Sequence, residues 1–237
     1  MSDVLSYRLD GSVAVLVLDD GKANVFNDAS IGAIHAALDR AELEAGAVVL
    51  AGRPGRFSGG FDLSVMGSNV AAMQALVRSG AELLLRIWEF PRPVLIACTG
   101  HAVAAGAMFL LAADYRIGVE GDWSIGLNEV GIGMPLPVFT IELARARLDP
   151  RAFTRATLHA RLYDGAGAVD AGYLDEAVPP DQLLERVMTV ATAMAKFEPG
   201  GYLPSKRRAR HALTDYVRAS LDDDMAAITM PRVRARD

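Results

Sequence analysis

The chain has 237 residues, 51% hydrophobic and 22% charged, enough for one full-sized core with a small extension. A net charge of -5 and a pI near 5.4 argue against nucleic-acid binding, whose footprint is basic. The longest apolar run, 102–113, contains Gly106 and falls short of the roughly 20 residues of a membrane span. A single cysteine excludes an internal disulfide framework. The start, Met1-Ser2-Asp3-Val4, lacks a basic segment followed by an apolar one, so the expected compartment is the cytosol.

In chain order, the near-continuous apolar run 13–18 predicts an opening strand covered on both faces. Asp28 is the expected cap of a helix carrying Ile31, Ile34, Ala37, Leu38 and Ala41 on one face and ending near Gly46. A second buried strand at 48–51 leads into a glycine-rich loop, 52–60. A long helix at 70–89 ends before Pro91 and Pro93. The third strand is 94–98, followed by a loop at Thr99-Gly100, a helix over 105–113 and a strand over 115–119. A short strand at 123–125 precedes the loop 126–137. Beyond it the pattern reads as almost wholly helical, at 138–148, 150–158, 183–197 and 205–221. The class is therefore α/β, with a core over 1–198 and a helical extension over 199–237, divided at Glu198-Pro199-Gly200-Gly201.

Familiar catalytic templates are absent. The chain has no phosphate loop, no G-x-G-x-x-G, no H-E-x-x-H and no C-x-x-C, so nucleoside triphosphates, a dinucleotide cofactor and zinc lack support. His35, His101, His159 and His211 are scattered; His35 reads as solvated, and only His101 falls in a strand-to-helix loop. Cys98 reads as a core residue, and Ser58 lacks the G-x-S-x-G elbow. Two backbone arrangements remain. Around Ser58-Gly59-Gly60-Phe61-Asp62, adjacent glycines let an amide approach a ligand closely. At Gly100-His101-Ala102-Val103-Ala104-Ala105-Gly106, small residues open a helix whose free amides suit a developing oxyanion.

Taken in order, these segments resemble the crotonase superfamily, the enoyl-CoA hydratase/isomerase proteins. The resemblance covers about 13–179. It rests on Lys22-Ala23-Asn24-Val25-Phe26, on the F-x-x-G-x-D-[IL] loop from Phe57 to Leu63, on the helix start 99–114 with Ala104 and Ala105 in place of glycines, and on 126–135. It implies a spiral of ββα units with a helical C-terminal region and a homotrimer or hexamer. The implied substrate is an acyl-CoA thioester, with no metal or redox cofactor, since coenzyme A belongs to the substrate. By the same resemblance, the amides of Phe61 and Ala105 form the oxyanion hole, and Lys22, Ala23, Val25, Gly59 and Phe61 bind the CoA portion.

The hydratases place one glutamate in the helix and another in the later segment. Here those positions hold Met108 and Glu129, so one carboxylate is missing. Ile125-Gly126-Leu127-Asn128-Glu129 is similar to the Δ3,Δ2-enoyl-CoA isomerases, which implies isomerisation in fatty-acid or related acyl-CoA metabolism. A hydratase or other crotonase lyase, and a non-catalytic acyl-CoA-binding protein, are the alternatives. Trp88, Met108, Ile132 and Met134 are expected to wall the acyl pocket. Residues 206–210, Lys206-Arg207-Arg208-Ala209-Arg210, read as an exposed basic helix face or a contact to the CoA 3′-phosphate.

Overall fold

The computed structural model describes residues 4–229. Its first half runs β1 (Leu5–Asp10), β2 (Val13–Leu18), β3 (Val25–Phe26), α1 (Asp28–Glu44), β4 (Ala47–Ala51), β5 (Gly55–Ser58), β6 (Gly60–Phe61), α2 (Leu63–Met66), α3 (Val70–Glu89) and β7 (Val94–Cys98). There follow β8 (Gly100–Val103), α4 (Ala105–Ala112), β9 (Tyr115–Val119), β10 (Ile125–Gly126), a 3-10 turn (Val130–Ile132) and α5 (Val138–Arg147). The chain continues through α6 (Pro150–Thr157), α7 (Gly165–Ala171), β11 (Glu176–Val178), α8 (Leu183–Met194) and α9 (Pro199–Ala227).

Six strands form the main sheet in the order β1-β2-β4-β7-β9-β11, parallel apart from the β1–β2 pair. The continuous apolar runs have a direct cause, because helices cover both faces of this sheet. Along β2 and β4, Ala14, Leu16, Val48 and Leu50 face the core that holds α1, α3 and α4. Val13, Val15, Ala47 and Val49 alternate to the other face, against Leu183, Val187 and Ala191 of α8. Each fully buried Val, Leu or Ile contributes about 1.5–3 kcal/mol of transfer free energy, so a central strand without polar positions is stabilised from both sides.

Several sequence expectations shift. β1 precedes the expected opening strand and pairs with it from Leu5↔Leu18 to Asp10↔Val13. Asn27, not Asp28, caps α1: its side chain accepts the Ser30 amide at 3.2 Å, and Ser30 Oγ accepts the Asn27 amide at 3.0 Å, a reciprocal capping box. The strand expected at 123–125 is reduced to Ile125–Gly126. The last stretch is not wholly helical, since β11 joins β9 at the sheet edge. α9 begins at Pro199, ahead of the expected start at 205, and runs through Pro204. A second, three-stranded sheet, β10-β8-β5, and the two-residue pair β3-β6 arise from segments that, β10 apart, read as loops. These short strands build the site.

Candidate active site

The segment before α1 is fastened to the glycine loop by a single buried side chain. Asn24 Nδ2 donates to the carbonyls of Leu18 at 2.9 Å and Phe57 at 3.2 Å, while Oδ1 accepts the Asp20 amide at 3.0 Å. Asparagine also tolerates the positive φ of 50° found there. Ser58 completes the fastening: its hydroxyl donates to the Asn24 carbonyl at 2.6 Å and accepts the Gly60 amide at 3.1 Å. Ser58 is fully buried in this structural role, which disposes of a hydrolase nucleophile. The Gly59 amide donates to Ala23 at 2.8 Å and the Asp62 amide to Phe26 at 3.0 Å, so the amides on both sides of Phe61 are committed.

The start of α4 meets this loop closely. A Cβ on Gly60 would stand 2.9 Å from Ala104 Cβ and 3.3 Å from the Ala105 nitrogen, and one on Gly106 would meet the Ser58 carbonyl oxygen at 2.6 Å. Glycine at 60, with φ of +97°, and at 106 is therefore what lets the two motifs touch. Ala104 precedes the helix at φ 51° and ψ -124°, a region that disfavours side chains, and supplies no side-chain cap. Its carbonyl accepts the amides of Ala107 and Met108. No loop carbonyl or side chain accepts the amides of Ala105 and Gly106, which lie at the positive end of the helix.

Glu129 arrives on the loop after β10. That strand pairs with β8, and the Gly126 carbonyl accepts the Ala104 amide at 3.1 Å, which ties the loop to the head of α4. The Glu129 carbonyl accepts the amides of Ile132 at 3.0 Å and Met134 at 2.9 Å, folding the segment into its 3-10 turn. Its side chain lines an apolar cleft of about 910 Å³, counting the mouth, together with Met108, Ile132 and Met134. Glu129 is 7% exposed and its Oε2 has no hydrogen-bond partner. Burial pushes its carboxyl up to about 7, against the opposing pull of its own and the Asn128 amide. Among the described residues that line the cleft, Glu129 is the one titratable side chain.

The expected site residues sort unevenly. Phe61, Gly59, Met108, Glu129, Ile132 and Met134 line the cleft, and Ala105 lies directly behind Ala104 on its wall. Ala23 and Val25 sit half-buried beside Gly59 and Gly60 without lining the cleft, and Lys22 is exposed, its carbonyl accepting Arg53 Nε at 2.9 Å.

Trp88 is a correction: it does not wall the cleft but packs against the guanidinium groups of Arg147 and Arg210. Both faces of α3 are buried near its end, so an apolar pattern could not say which cavity Trp88 faces. A uniformly exposed 206–210 face is also wrong, because Lys206 is buried and Arg210 nearly so. His35 is half-buried, with Nδ1 2.9 Å from Arg86 Nη1. His101 stays off the cleft, its Nδ1 accepting the Ser124 amide at 3.0 Å.

Sequence reasoning missed Asn128, whose Oδ1 is buried and unpartnered beside Glu129, and the apolar walls Met66, Val77 and Ile228. Adjacency to Glu129 was a signal for Asn128. No local signal marked the others. Among the described residues, no group of three His, Cys, Asp or Glu stands close enough to hold a metal ion. No helix there is long and apolar enough to cross a membrane.

An uncapped helix head, a crowded glycine loop and one neutral-range carboxyl in an apolar cleft suit the transient negative charge of an enolised thioester. Residues 8–230 match the enoyl-CoA hydratase/isomerase family. An enoyl-CoA hydratase/isomerase family protein from Pseudomonas syringae has the same fold, with a TM-score of 0.94 and 43% identity over 96% of this chain and 99% of that one. An enoyl-CoA hydratase from Mycobacterium marinum superposes with a TM-score of 0.90 at 35% identity, over 95% of this chain and all of the other. Rat mitochondrial enoyl-CoA delta isomerase 1 is 33% identical over 154 residues, 64% of this chain, and the chain spans about half, 52%, of that relative. The mixed α/β architecture is thus the crotonase-like one implied by the four sequence segments, and the chain belongs to the enoyl-CoA hydratase/isomerase family.

Proposed function

We propose that the protein is a Δ3,Δ2-enoyl-CoA isomerase. The observation that carries this reading is that, among the described residues, Glu129 is the one titratable group lining the cleft, with the thioether of Met108 where a second carboxylate would stand in a hydratase. In the proposed reaction the Glu129 carboxylate takes a proton from C2 of a 3-enoyl thioester. The C–H electron pair moves into a dienolate whose charge rests on the thioester oxygen. The amides of Phe61 and Ala105 hold that oxygen, and they stabilise the charged form more than the neutral carbonyl. Glu129 then returns the same proton to C4, and the double bond settles between C2 and C3. Atoms and electrons balance without water, metal or redox partner.

A carboxyl held near 7 is matched to this exchange, since it both accepts and releases a proton near neutral pH. Lys22, Ala23, Val25 and Gly59 are assigned to the CoA portion along the β3–β6 edge, and Met108, Ile132 and Met134 to the acyl chain. Thr140 Oγ1 lies 3.2 Å from Met108 Sδ, which fixes the thioether in the wall.

The test compares isomerisation of a 3-enoyl-CoA with hydration of a 2-enoyl-CoA in labelled water. Isomerisation is expected to be the faster reaction, and Glu129→Gln is expected to lower it by roughly 10²- to 10⁴-fold with thioester binding retained. Faster hydration overturns the isomerase reading. A Glu129→Gln protein that keeps most of its turnover overturns the proton shuttle.

A further inference from the structure

The far end of α4 holds a buried charge cluster that the proposed chemistry does not use. Asp114, 7% exposed, accepts Lys206 Nζ at 2.7 Å on one oxygen and Arg210 Nη2 at 2.8 Å on the other. The first oxygen also takes the Val94 amide at 2.8 Å. From α5, Arg147 reaches the same place, donating through Nε to the Leu111 carbonyl at 3.2 Å and through Nη2 to that of Ala113. Arg210 Nη1 donates to the Trp88 carbonyl at 2.5 Å. The Trp88 ring stands 4.0 Å from the Arg210 guanidinium and 4.9 Å from that of Arg147.

Three cations therefore share one carboxylate. The C-terminal ends of α3 and α4 supply roughly half a negative charge each. Nearby Arg116 is matched separately by Asp175, at 2.7 and 2.8 Å. About one positive charge is left without a counterion in this estimate. Each of the three side chains also keeps N–H donors uncommitted after these bonds. Burial, helped by Arg210 and Arg116, pulls Arg147 down to about 9, and burial opposed by Asp114 pulls Lys206 down to about 8. Both shifts express chiefly the cost of taking a charge out of water. A crevice lined by Asp114, Arg147, Tyr202, Lys206 and Arg210 opens this cluster to solvent, with the exposed residues Ser205 and Ala209 on its rim.

We propose that this crevice binds a tetrahedral oxyanion, a phosphoryl group or sulfate, held by Arg147, Lys206 and Arg210. The site sits at the opposite end of α4 from the cleft and stands whether or not the isomerase reading does. Trp88 is its natural reporter. In a Trp123→Phe protein Trp88 is the one remaining tryptophan, because the chain has two.

Inorganic sulfate and inorganic phosphate are titrated separately at constant ionic strength, with sodium chloride as the reference. A saturable change in Trp88 emission is expected, together with a rise in Tm. For sulfate, whose charge is constant across neutral pH, affinity should fall as the pH rises through about 8 and Lys206 loses its proton. Ala209→Glu brings a carboxylate to the rim from an exposed helix position and leaves the buried network intact. It and Lys206→Gln should each weaken binding by roughly tenfold or more. A response no larger than that to chloride overturns the site. So does an affinity unchanged in Ala209→Glu, which decides the matter if Lys206→Gln fails to fold.

Discussion

The two ends of α4 are opposites. At its head, Ala104 lines an apolar cleft and offers no side-chain cap, and no loop carbonyl or side chain accepts the amides of Ala105 and Gly106. At its foot, Arg147 takes the carbonyls of Leu111 and Ala113, while Asp114 gathers Lys206 and Arg210. All eight residues between are buried. A helix end left unsatisfied inside a protein costs free energy, so an uncapped head, opposite a foot whose Leu111 and Ala113 carbonyls are taken, is a place where a ligand supplies an acceptor.

The largest expected effect comes from breaking the foot. Asp114→Asn leaves three cations around a neutral amide and should cost about 3–5 kcal/mol in denaturant unfolding, with turnover per folded molecule unchanged. A loss below about 1 kcal/mol would mean the cluster behaves like a surface pair. At the head, Ala105→Pro removes one amide donor at the first helical position, where proline is otherwise tolerated. Turnover should fall by about 10²- to 10³-fold, whereas Ala105→Ser, which keeps the amide, should retain most of it. Equal activities in two folded variants would remove Ala105 from the oxyanion hole.

The head also has a pH signature. Glu129 is raised from 4.5 to about 7, so the folded protein binds this proton more tightly than the unfolded chain. The associated stability is fully present below about pH 4.5 and is lost as the pH rises through about 7, to an order of magnitude of about 3 kcal/mol. Glu129→Gln should abolish that slope and be the more stable protein above pH 7. In the unaltered enzyme, kcat/KM should rise over the same limb as the base form appears; a flat profile would contradict a raised carboxyl acting as base. The smallest effect is Ala104→Gly. Relief of the positive-φ strain, of order 1–3 kcal/mol, exceeds the entropy cost of glycine, roughly 0.5–1 kcal/mol, so Tm should rise modestly. A lower Tm would show that Ala104 is not strained.

Local composition alone determined a good deal of this molecule. β2, β4 and β7 are legible because strands covered on both faces carry no polar positions, and α3 matches its expected span, Val70–Glu89, because its termini coincide with a capping asparagine and a proline pair. The place of Glu129 in the cleft was legible because its neighbours form an ordered motif. Tertiary structure decided the rest. β3 and β6 are two residues long, too short for a period, and exist only because a partner strand arrives. The cleft joins Met66, Val77 and Ile228, which no short-range pattern connects. Lys206 and Arg210 look like a solvated helix face until Asp114, 92 residues before Lys206, supplies the carboxylate that makes their burial tolerable. Backbone geometry and apolar period are local properties of a chain, whereas the burial of a polar group depends on a partner that only the folded arrangement brings within reach.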